Sequence, residues 1–119
     1  MTIDRNQEHF YTKETLKLQQ AIPGAKFWSV ALNKVMFTYF EVEPNIRFEL
    51  HQHESEQITM VLLGTLYFEI ANQIYPVKEG EVIAIPGEMF HTVFTKNEAV
   101  KAVDAWTTEG NPYENEAIN

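Results

Sequence analysis

Short runs of β-forming residues, broken by turn signals, constrain the fold of this chain more than any other feature. Between residues 27 and 106, about nine or ten runs rich in aromatic and β-branched residues are separated by turn signals about every 8–12 residues. Helical periodicity is nearly absent. The pattern predicts an all-β fold, and periodicity alone leaves both an immunoglobulin-like sandwich and a jelly roll open.

The length of the chain, 119 residues, suits a single domain. Residues 1–22 are expected to form an N-terminal arm or a short helix that ends at the turn signal Ile22-Pro23-Gly24. Residues 23–108 would form the barrel. Residues 109–119 are polar and are expected to be a flexible tail.

Composition narrows the function classes. The formal net charge of −8 disfavours nucleic acid and anionic membrane as partners, because an acidic surface repels phosphate groups. Cysteine is absent, which excludes thiolate ligands and cysteine nucleophiles. No apolar run approaches the roughly 18 residues of a membrane span, and the first residues lack the layout of a signal peptide. We therefore expect a cytoplasmic protein.

Three of the four histidines form a pattern that suggests a metal site. His51 and His53 end an alternating run, and strand alternation would put both on one polar face with Arg47 and Glu49. A polar stripe of this kind is ordinary on a surface strand. A His-x-His pair combined with a distal His91 is less ordinary, because a third imidazole from another strand can close a metal site. Spacing alone leaves both interpretations open.

The spacing of the first motif resembles the first signature of the cupin family. That signature has a Gly, then His-x-His, a Glu and a second Gly. Here His51 and His53 are followed by Gln57 and Gly64 at the same intervals. Asn45, which also tolerates turn geometry, stands at the leading Gly, and a neutral Gln stands where most cupins have Glu.

The second cupin signature is matched by Gly80, Pro86 and His91. The two motifs together cover about residues 40–106, and the resemblance is to a small single-domain cupin. It implies a double-stranded β-helix, the cupin jelly-roll barrel, with one metal ion inside one barrel mouth. Many small cupins form homodimers, and we expect an edge strand from residues 25–43 to pair across a two-fold axis.

By this resemblance His51, His53, Gln57 and His91 hold a divalent first-row metal: Zn, Ni, Mn, Fe or Co. Because the four donors are neutral, the ion keeps its full 2+ charge, which favours Lewis-acid over redox chemistry. Two alternatives remain. Glu56 replaces Gln57 as the ligand if a bulge intervenes, or Gln57 only supports a ligand through a hydrogen bond.

Further site candidates lie on neighbouring strands. Asp104 interrupts an otherwise apolar run and shares a face with Trp106, where a charge is costly unless it is paired or used. The alternatives without a functional role are that Asp104 is a surface residue and that Trp106 only fills the core. Arg47 can clamp a substrate carboxylate or simply pair with Glu49. Tyr39 and Met60 are candidate wall residues, with plain packing as the alternative.

Within the cupins, the Glu-Gln pair and the late run Val103-Asp104-Ala105-Trp106 are similar to the uronate-linearising pectin-degradation proteins, the KdgF group. That resemblance implies a non-redox lyase or isomerase that opens unsaturated uronates, small anionic sugar acids. Asp104 would transfer a proton and Trp106 would stack on the sugar.

The sequence leaves four alternative hypotheses open. The protein could be an Fe-dependent dioxygenase, a lyase of another small acid, a metal-dependent ligand-binding protein without catalysis, or a metal-free barrel.

Overall fold

The computed structural model describes residues 9–51, 53–111 and 113, with the side chains of Leu50 and His51 outside the description. It contains ten β-strands: β1 Gln19–Ile22, β2 Ala25–Ala31, β3 Val35–Val42, β4 Arg47–His51, β5 Gln57–Leu63, β6 Thr65–Ile70, β7 Gln73–Lys78, β8 Val82–Ile85, β9 His91–Phe94 and β10 Val100–Thr107. They form two antiparallel sheets of six and four strands, in the orders β1-β2-β3-β10-β5-β8 and β4-β9-β6-β7. The all-β jelly roll expected from the sequence is confirmed.

The described part of the N-terminal arm forms a turn rather than a helix. The backbone nitrogens of Thr15 and Leu16 both donate to the carbonyl oxygen of Thr12, at 3.1 and 3.0 Å. Residues 9–51, 53–111 and 113 include no helix, and therefore no helix long and apolar enough to cross a membrane.

The end of the expected arm is a strand. β1 pairs with β2, Gln19 lying opposite Phe27. β2 therefore lies between β1 and β3, and β3 lies between β2 and β10, so that neither offers an unpaired edge. This corrects the expectation that residues 25–43 supply an edge strand, because β1 covers the edge that β2 would otherwise present.

The two sheets pack face to face, and alternate residues of each strand point into the space between them. The larger sheet contributes Phe27 and Phe40 to the core, and the smaller sheet contributes Phe68 and Val93. Complete burial of each such side chain stabilises the fold by about 1.5–3 kcal/mol.

Across the larger sheet, the inward residues form rows. One row is apolar (Phe27, Phe40, Ala102, Val61), the next is polar (Ser29, Thr38, Asp104, Thr59), and the third is mixed (Ala31, Met36, Trp106, Gln57, Ile85).

Left-handed turn positions fix where the strands begin and end. Asn45 has a φ of 60°, which confirms that Asn supplies the turn geometry expected at this position. Ala71 and Asn72, with φ of 51° and 64°, form the two-residue connection between β6 and β7. Gly64 has a φ of 79°, and a Cβ there would lie 2.4 Å from the carbonyl oxygen of Ala99, so only glycine fits.

Candidate metal centre and cavity

A cavity of about 680 Å³ lies between the two sheets. At one end its wall includes His53, Gln57, Asp104 and Trp106. These four come from two different sequence motifs, and β5, β10 and the segment between β4 and β5 bring them together.

His53 and His91 have a defined tautomer. Nδ1 of His53 lies 2.9 Å from the carbonyl oxygen of Ser55, and Nδ1 of His91 lies 2.8 Å from that of Met89. A carbonyl only accepts hydrogen bonds, so each Nδ1 carries the proton and each buried Nε2 presents its lone pair. This arrangement is typical of histidines that bind a metal through Nε2. The ring centroids lie 5.1 Å apart.

The side chain of His51, the third predicted histidine ligand, lies outside the described residues. Its backbone pairs with that of His91 across β4 and β9. Among the side chains that the structure describes, no three His, Cys, Asp or Glu residues form a metal-binding group. The described members of the predicted set are therefore His53, His91 and the amide Gln57. The two imidazole lone pairs fit a first-row metal ion.

Gln57, and not Glu56, faces the cavity. The strand alternates without a bulge from Ser55 through Thr59, so Gln57 is buried while Glu56 is exposed. The Gln57 amide nitrogen donates to the hydroxyl of Thr59 at 3.0 Å and also hydrogen-bonds the Asp104 carboxyl group. These two bonds occupy the amide hydrogens and leave the Gln57 carbonyl oxygen as an acceptor.

Asp104 is a buried carboxyl group on the cavity wall, 5% exposed. The Thr59 hydroxyl donates a short hydrogen bond to Asp104 Oδ1. Burial raises the pKa of Asp104 to about 7, against the opposing effect of the hydrogen bonds from Thr59 and Gln57. The group can therefore hold or release a proton near neutral pH. Sequence reasoning did not identify Thr59, although it lies two residues after Gln57 and hence on the same face.

Trp106 forms a fixed part of the wall. Its indole Nε1 donates to Thr38 Oγ1 at 2.9 Å, and Thr38 Oγ1 lies 2.7 Å from Ser29 Oγ. The Trp106 ring lies 5.8 Å from that of His53 and 5.7 Å from that of Tyr113. Tyr113 also lines the cavity, although the sequence placed it in the tail. An indole held by its own hydrogen bond cannot swing freely, so the wall beside His53 is preorganised.

Arg47 lies at the rim of the cavity but contacts the outer side of the smaller sheet. Its guanidinium lies 3.6 Å from the Glu69 carboxylate and 5.3 Å from the centroid of the Phe94 ring. Glu69 is thus its partner in the ion pair, whereas the sequence offered Glu49 as one alternative. A register shift between Phe48 and His51 interrupts the alternation of β4, so the expected common face of Arg47 and His51 no longer follows from strand period.

Tyr39 and Met60 are not brought into the cavity, which corrects the expectation that they form its wall. Each lies between two inward-facing neighbours and so points to the outer face of the larger sheet. The Tyr39 hydroxyl donates to Glu41 Oε2 at 2.8 Å, and its ring stacks on Trp28. Burial, together with Glu41, raises the pKa of Tyr39 to about 12, so the hydroxyl stays neutral.

The larger part of the cavity wall is apolar. Beyond Asp104 the cavity continues between the two sheets, where its wall includes Phe40, Phe48, Leu66, Phe68, Val93 and Ala102. Asn45, Arg47 and Glu49 also line the cavity. The cavity therefore has one polar end with an imidazole, an amide and a carboxyl group, and a further part whose wall is mainly hydrocarbon.

Comparison with solved structures gives the same fold. KdgF from Halomonas sp. matches with a TM-score of 0.76 at 19% identity, covering 85% of this chain and 94% of that one. An RmlC-like cupin from Shewanella frigidimarina matches with a TM-score of 0.77 at 17% identity, covering 85% and 91%. The polyketide cyclase RemF from Streptomyces resistomycificus matches with a TM-score of 0.76 at 22% identity, covering 89% and 83%.

Because these sequence identities are low, the three structural matches establish a shared fold and nothing further. No curated protein sequence matches the chain. The model of the Cupin domain family matches residues 38–106, which is more than half of the chain and includes every predicted metal ligand. The chain therefore belongs to the cupin family.

Proposed function

We propose that this cupin is a metal-dependent, non-redox enzyme in which Asp104 transfers a proton to or from a small-molecule substrate. The observation that carries the proposal is that a buried carboxyl group opens on the same cavity as His53 and Gln57. An unpaired buried carboxylate is costly, and a fold retains one where it is used.

The metal would be held by His51, His53, Gln57 and His91. A bound divalent ion supplies Lewis-acid polarisation of a substrate oxygen and attraction for an anionic group. The tautomers of His53 and His91 support this assignment, since in both rings Nδ1 carries the proton and Nε2 carries the lone pair.

The chain's own residues would perform the proton transfer. Thr59 and Gln57 orient the Asp104 carboxyl group and stabilise its charged form, while burial stabilises its neutral form. The two influences keep both forms accessible near neutral pH, as general acid–base catalysis requires. Trp106, fixed by Thr38, excludes water from one side of the site.

For the substrate, the sequence resemblance favours unsaturated uronates, and the fold likeness to KdgF from Halomonas sp. is consistent with them. The apolar wall is a weaker match for a sugar acid with hydroxyl groups on most carbons. We therefore propose the reaction type first, and uronates as the first substrates to assay.

The test is an assay of metal-loaded protein with unsaturated galacturonate and its alginate counterpart, following the loss of the substrate double bond. We expect Asp104→Asn to lower kcat by about 10²–10⁴-fold with unchanged metal content, because it removes only the proton-transferring group. Glu98→Gln, which neutralises an exposed carboxylate, is the matched control. Equal kcat for Asp104→Asn and wild type would refute the role of Asp104.

Dependence on the metal and on oxygen separates the remaining alternatives. Turnover that requires both Fe(II) and O₂ would indicate a dioxygenase instead. Ligand binding without turnover under any metal would indicate a binding protein.

We also propose a homodimer that forms through the outer face of the larger sheet. Two complete outward rows are apolar: Trp28, Tyr39, Val103, Met60 and Val82, and Val30, Phe37, Ala105, Ile58 and Ala84. Phe37, Ile58 and Val82 are each about half exposed, at 46%, 52% and 52%. Exposed apolar surface of this extent marks an interaction site.

The size and charge of this face fit a second copy of the chain. Five strands spaced about 4.8 Å apart, each presenting roughly 20 Å of its length, give about 500 Å² in projection. A standard interface buries roughly 800 Å² of accessible surface per partner, which is the same order. The adjoining row Lys26, Glu41 and Lys101 alternates in sign, so it can pair with itself across a two-fold axis.

A further inference from the structure

We infer that the cavity takes a ligand with one polar head group and an extended apolar body, such as a fused-ring carboxylate. The inference rests on the proposed function only for the head group, which would lie at the end with His53, Gln57 and Asp104. The apolar body is inferred independently, from the wall that lies beyond Asp104.

On the larger sheet, the polar side chains of the cavity wall are concentrated at one end. On β10 the inward residues change from Trp106 and Asp104 to Ala102 within four residues, a distance of roughly 13 Å along the strand. From Ala102 onward the inward row consists of Phe40, Val61 and Phe27, without a hydroxyl or amide side chain.

The opposite wall is also largely apolar. The smaller sheet contributes Phe48, Leu66, Phe68 and Val93, and its polar lining residues, Arg47 and Glu49, are on the edge strand β4. A ligand body between Ala102 and the side chains of β6 and β9 therefore meets hydrocarbon on both sides. β9 lies between β4 and β6, and β6 lies between β9 and β7, so the backbone groups of β6 and β9 are engaged in ladders and offer little to ligand hydroxyl groups.

A polyhydroxylated ring in this part of the cavity would lose its hydrogen bonds to water without replacement. An apolar ring would instead gain from leaving water and from contact with the three phenylalanine rings. The volume of about 680 Å³ falls within the roughly 300–1,000 Å³ of pockets that enclose drug-sized ligands, and it exceeds what a single small acid fills.

The residue that should control this selectivity is Ala102. It lies on the cavity wall at the start of the apolar part, two residues from Asp104, and is fully buried. A larger side chain there would extend into the space of the ligand body, and Ala102 is neither a predicted metal ligand nor the proton-transferring group. Ala99 lies next to the start of the same strand but is exposed, so Ala99→Leu is the matched control for Ala102→Leu.

The experiment measures binding of three probes by isothermal titration calorimetry: 2-naphthoate, the neutral 2-naphthylmethanol and galacturonate. Protein is used both metal-free and loaded with Zn²⁺. We expect the loaded wild type to bind 2-naphthoate at least about tenfold more tightly than galacturonate. Ala102→Leu should weaken binding of both naphthyl probes at least about fivefold with unchanged zinc content, and Ala99→Leu should leave their binding within about twofold of the wild type.

Equal or tighter binding of galacturonate to the wild type would overturn the inference, and this comparison needs no variant to fold. Unchanged naphthyl binding in a folded Ala102→Leu would also overturn it. Failure of the proposed function gives a different result: no zinc is bound, or Asp104→Asn has no effect on turnover, while the neutral naphthyl probe still binds and still depends on Ala102.

Discussion

The two faces of the six-stranded sheet differ in a way that reverses the usual pattern. Antiparallel sheets normally bury apolar residues and expose polar ones. Here the buried face contains a row of hydroxyl and carboxyl groups, Ser29, Thr38, Asp104 and Thr59, all at most 5% exposed. The outer face presents two apolar rows to solvent. The same strands thus lose stability on the inner face, where the proposed chemistry requires polar groups, and would regain it on the outer face through the proposed association.

The largest effect is expected on the free energy of unfolding when the charge of Asp104 on the inner face is removed. Burial raises the pKa of Asp104 from 3.8 to about 7. Between these two pH values the folded state therefore holds a proton that the unfolded state has released. Stability from this group is therefore highest below about pH 4 and falls as the pH rises towards 7. Without metal, Asp104→Asn should become more stable than the wild type by a few kcal/mol at about pH 8, but not at about pH 4.

Urea unfolding of the metal-free proteins at both pH values measures this difference. Glu98→Gln again serves as the control, because its carboxylate is exposed and its removal should have the same small effect at both. A stability difference between Asp104→Asn and the wild type that does not change with pH would contradict the stated cause.

On the outer face, a charge at the centre of the apolar rows should prevent association. Ile58→Lys places an ammonium group among Ala105, Ala84 and Met60, where burial by a second copy would leave it unpaired. We expect this variant to be monomeric at concentrations where the wild type is dimeric, with at least about a hundredfold weaker association. Light scattering coupled to size-exclusion chromatography measures this, and Glu56→Lys, also exposed on the same segment, is the control.

A dimer that persists in folded Ile58→Lys would exclude this face as the interface. A wild-type protein that is monomeric over the same concentration range would exclude the homodimer altogether.

A smaller effect, on kcat, should follow from removing the hydrogen bond that Thr59 donates to Asp104 on the inner face. Thr59→Val removes the hydroxyl that donates to Asp104 and accepts from Gln57, while keeping the shape of the side chain. We expect kcat to fall about 5–20-fold and its acidic limb to move to higher pH, because a hydrogen bond that stabilises the carboxylate is lost. Thr59→Ser, which keeps the hydroxyl, should restore both.

The pH profile separates this positioning role from a merely structural one. If Thr59→Val lowers kcat without moving the profile, or if Thr59→Ser fails to restore it, Thr59 does not act through Asp104.

Much of this architecture follows from the sequence because its signals are local. Alternation predicted the strands, and Asn45 predicted a left-handed turn. Strand period placed Gln57 rather than Glu56 on the inner face unless a bulge intervened, and Gln57 is the buried residue of the two. The strand β1 was missed because Gln19 and Gln20 are polar and exposed, so β1 has no amphipathic pattern. The register shift in β4 has no signal in composition, and because of it strand period alone no longer predicts a common face for Arg47 and His51.

The position of Met60 was predictable, because it lies an odd number of residues after Gln57 and so belongs to the other face of β5. Tyr39 carried no comparable signal. Its orientation depends on the register between β3 and β10, where Tyr39 pairs with Val103 and its neighbour Thr38 pairs with Asp104. Register between strands so distant in sequence is set by tertiary packing.

The row structure of the inner face has a consequence for how this protein can diversify. Asp104 and Ala102 belong to different rows, although only one residue separates them on β10. Under the proposed function, substitutions in the apolar row would change the space for the ligand body and leave the row that contains Asp104 intact, since the residues of the two rows are encoded by separate codons. A lineage with this barrel could then change its substrate one position at a time while it keeps the proposed proton transfer.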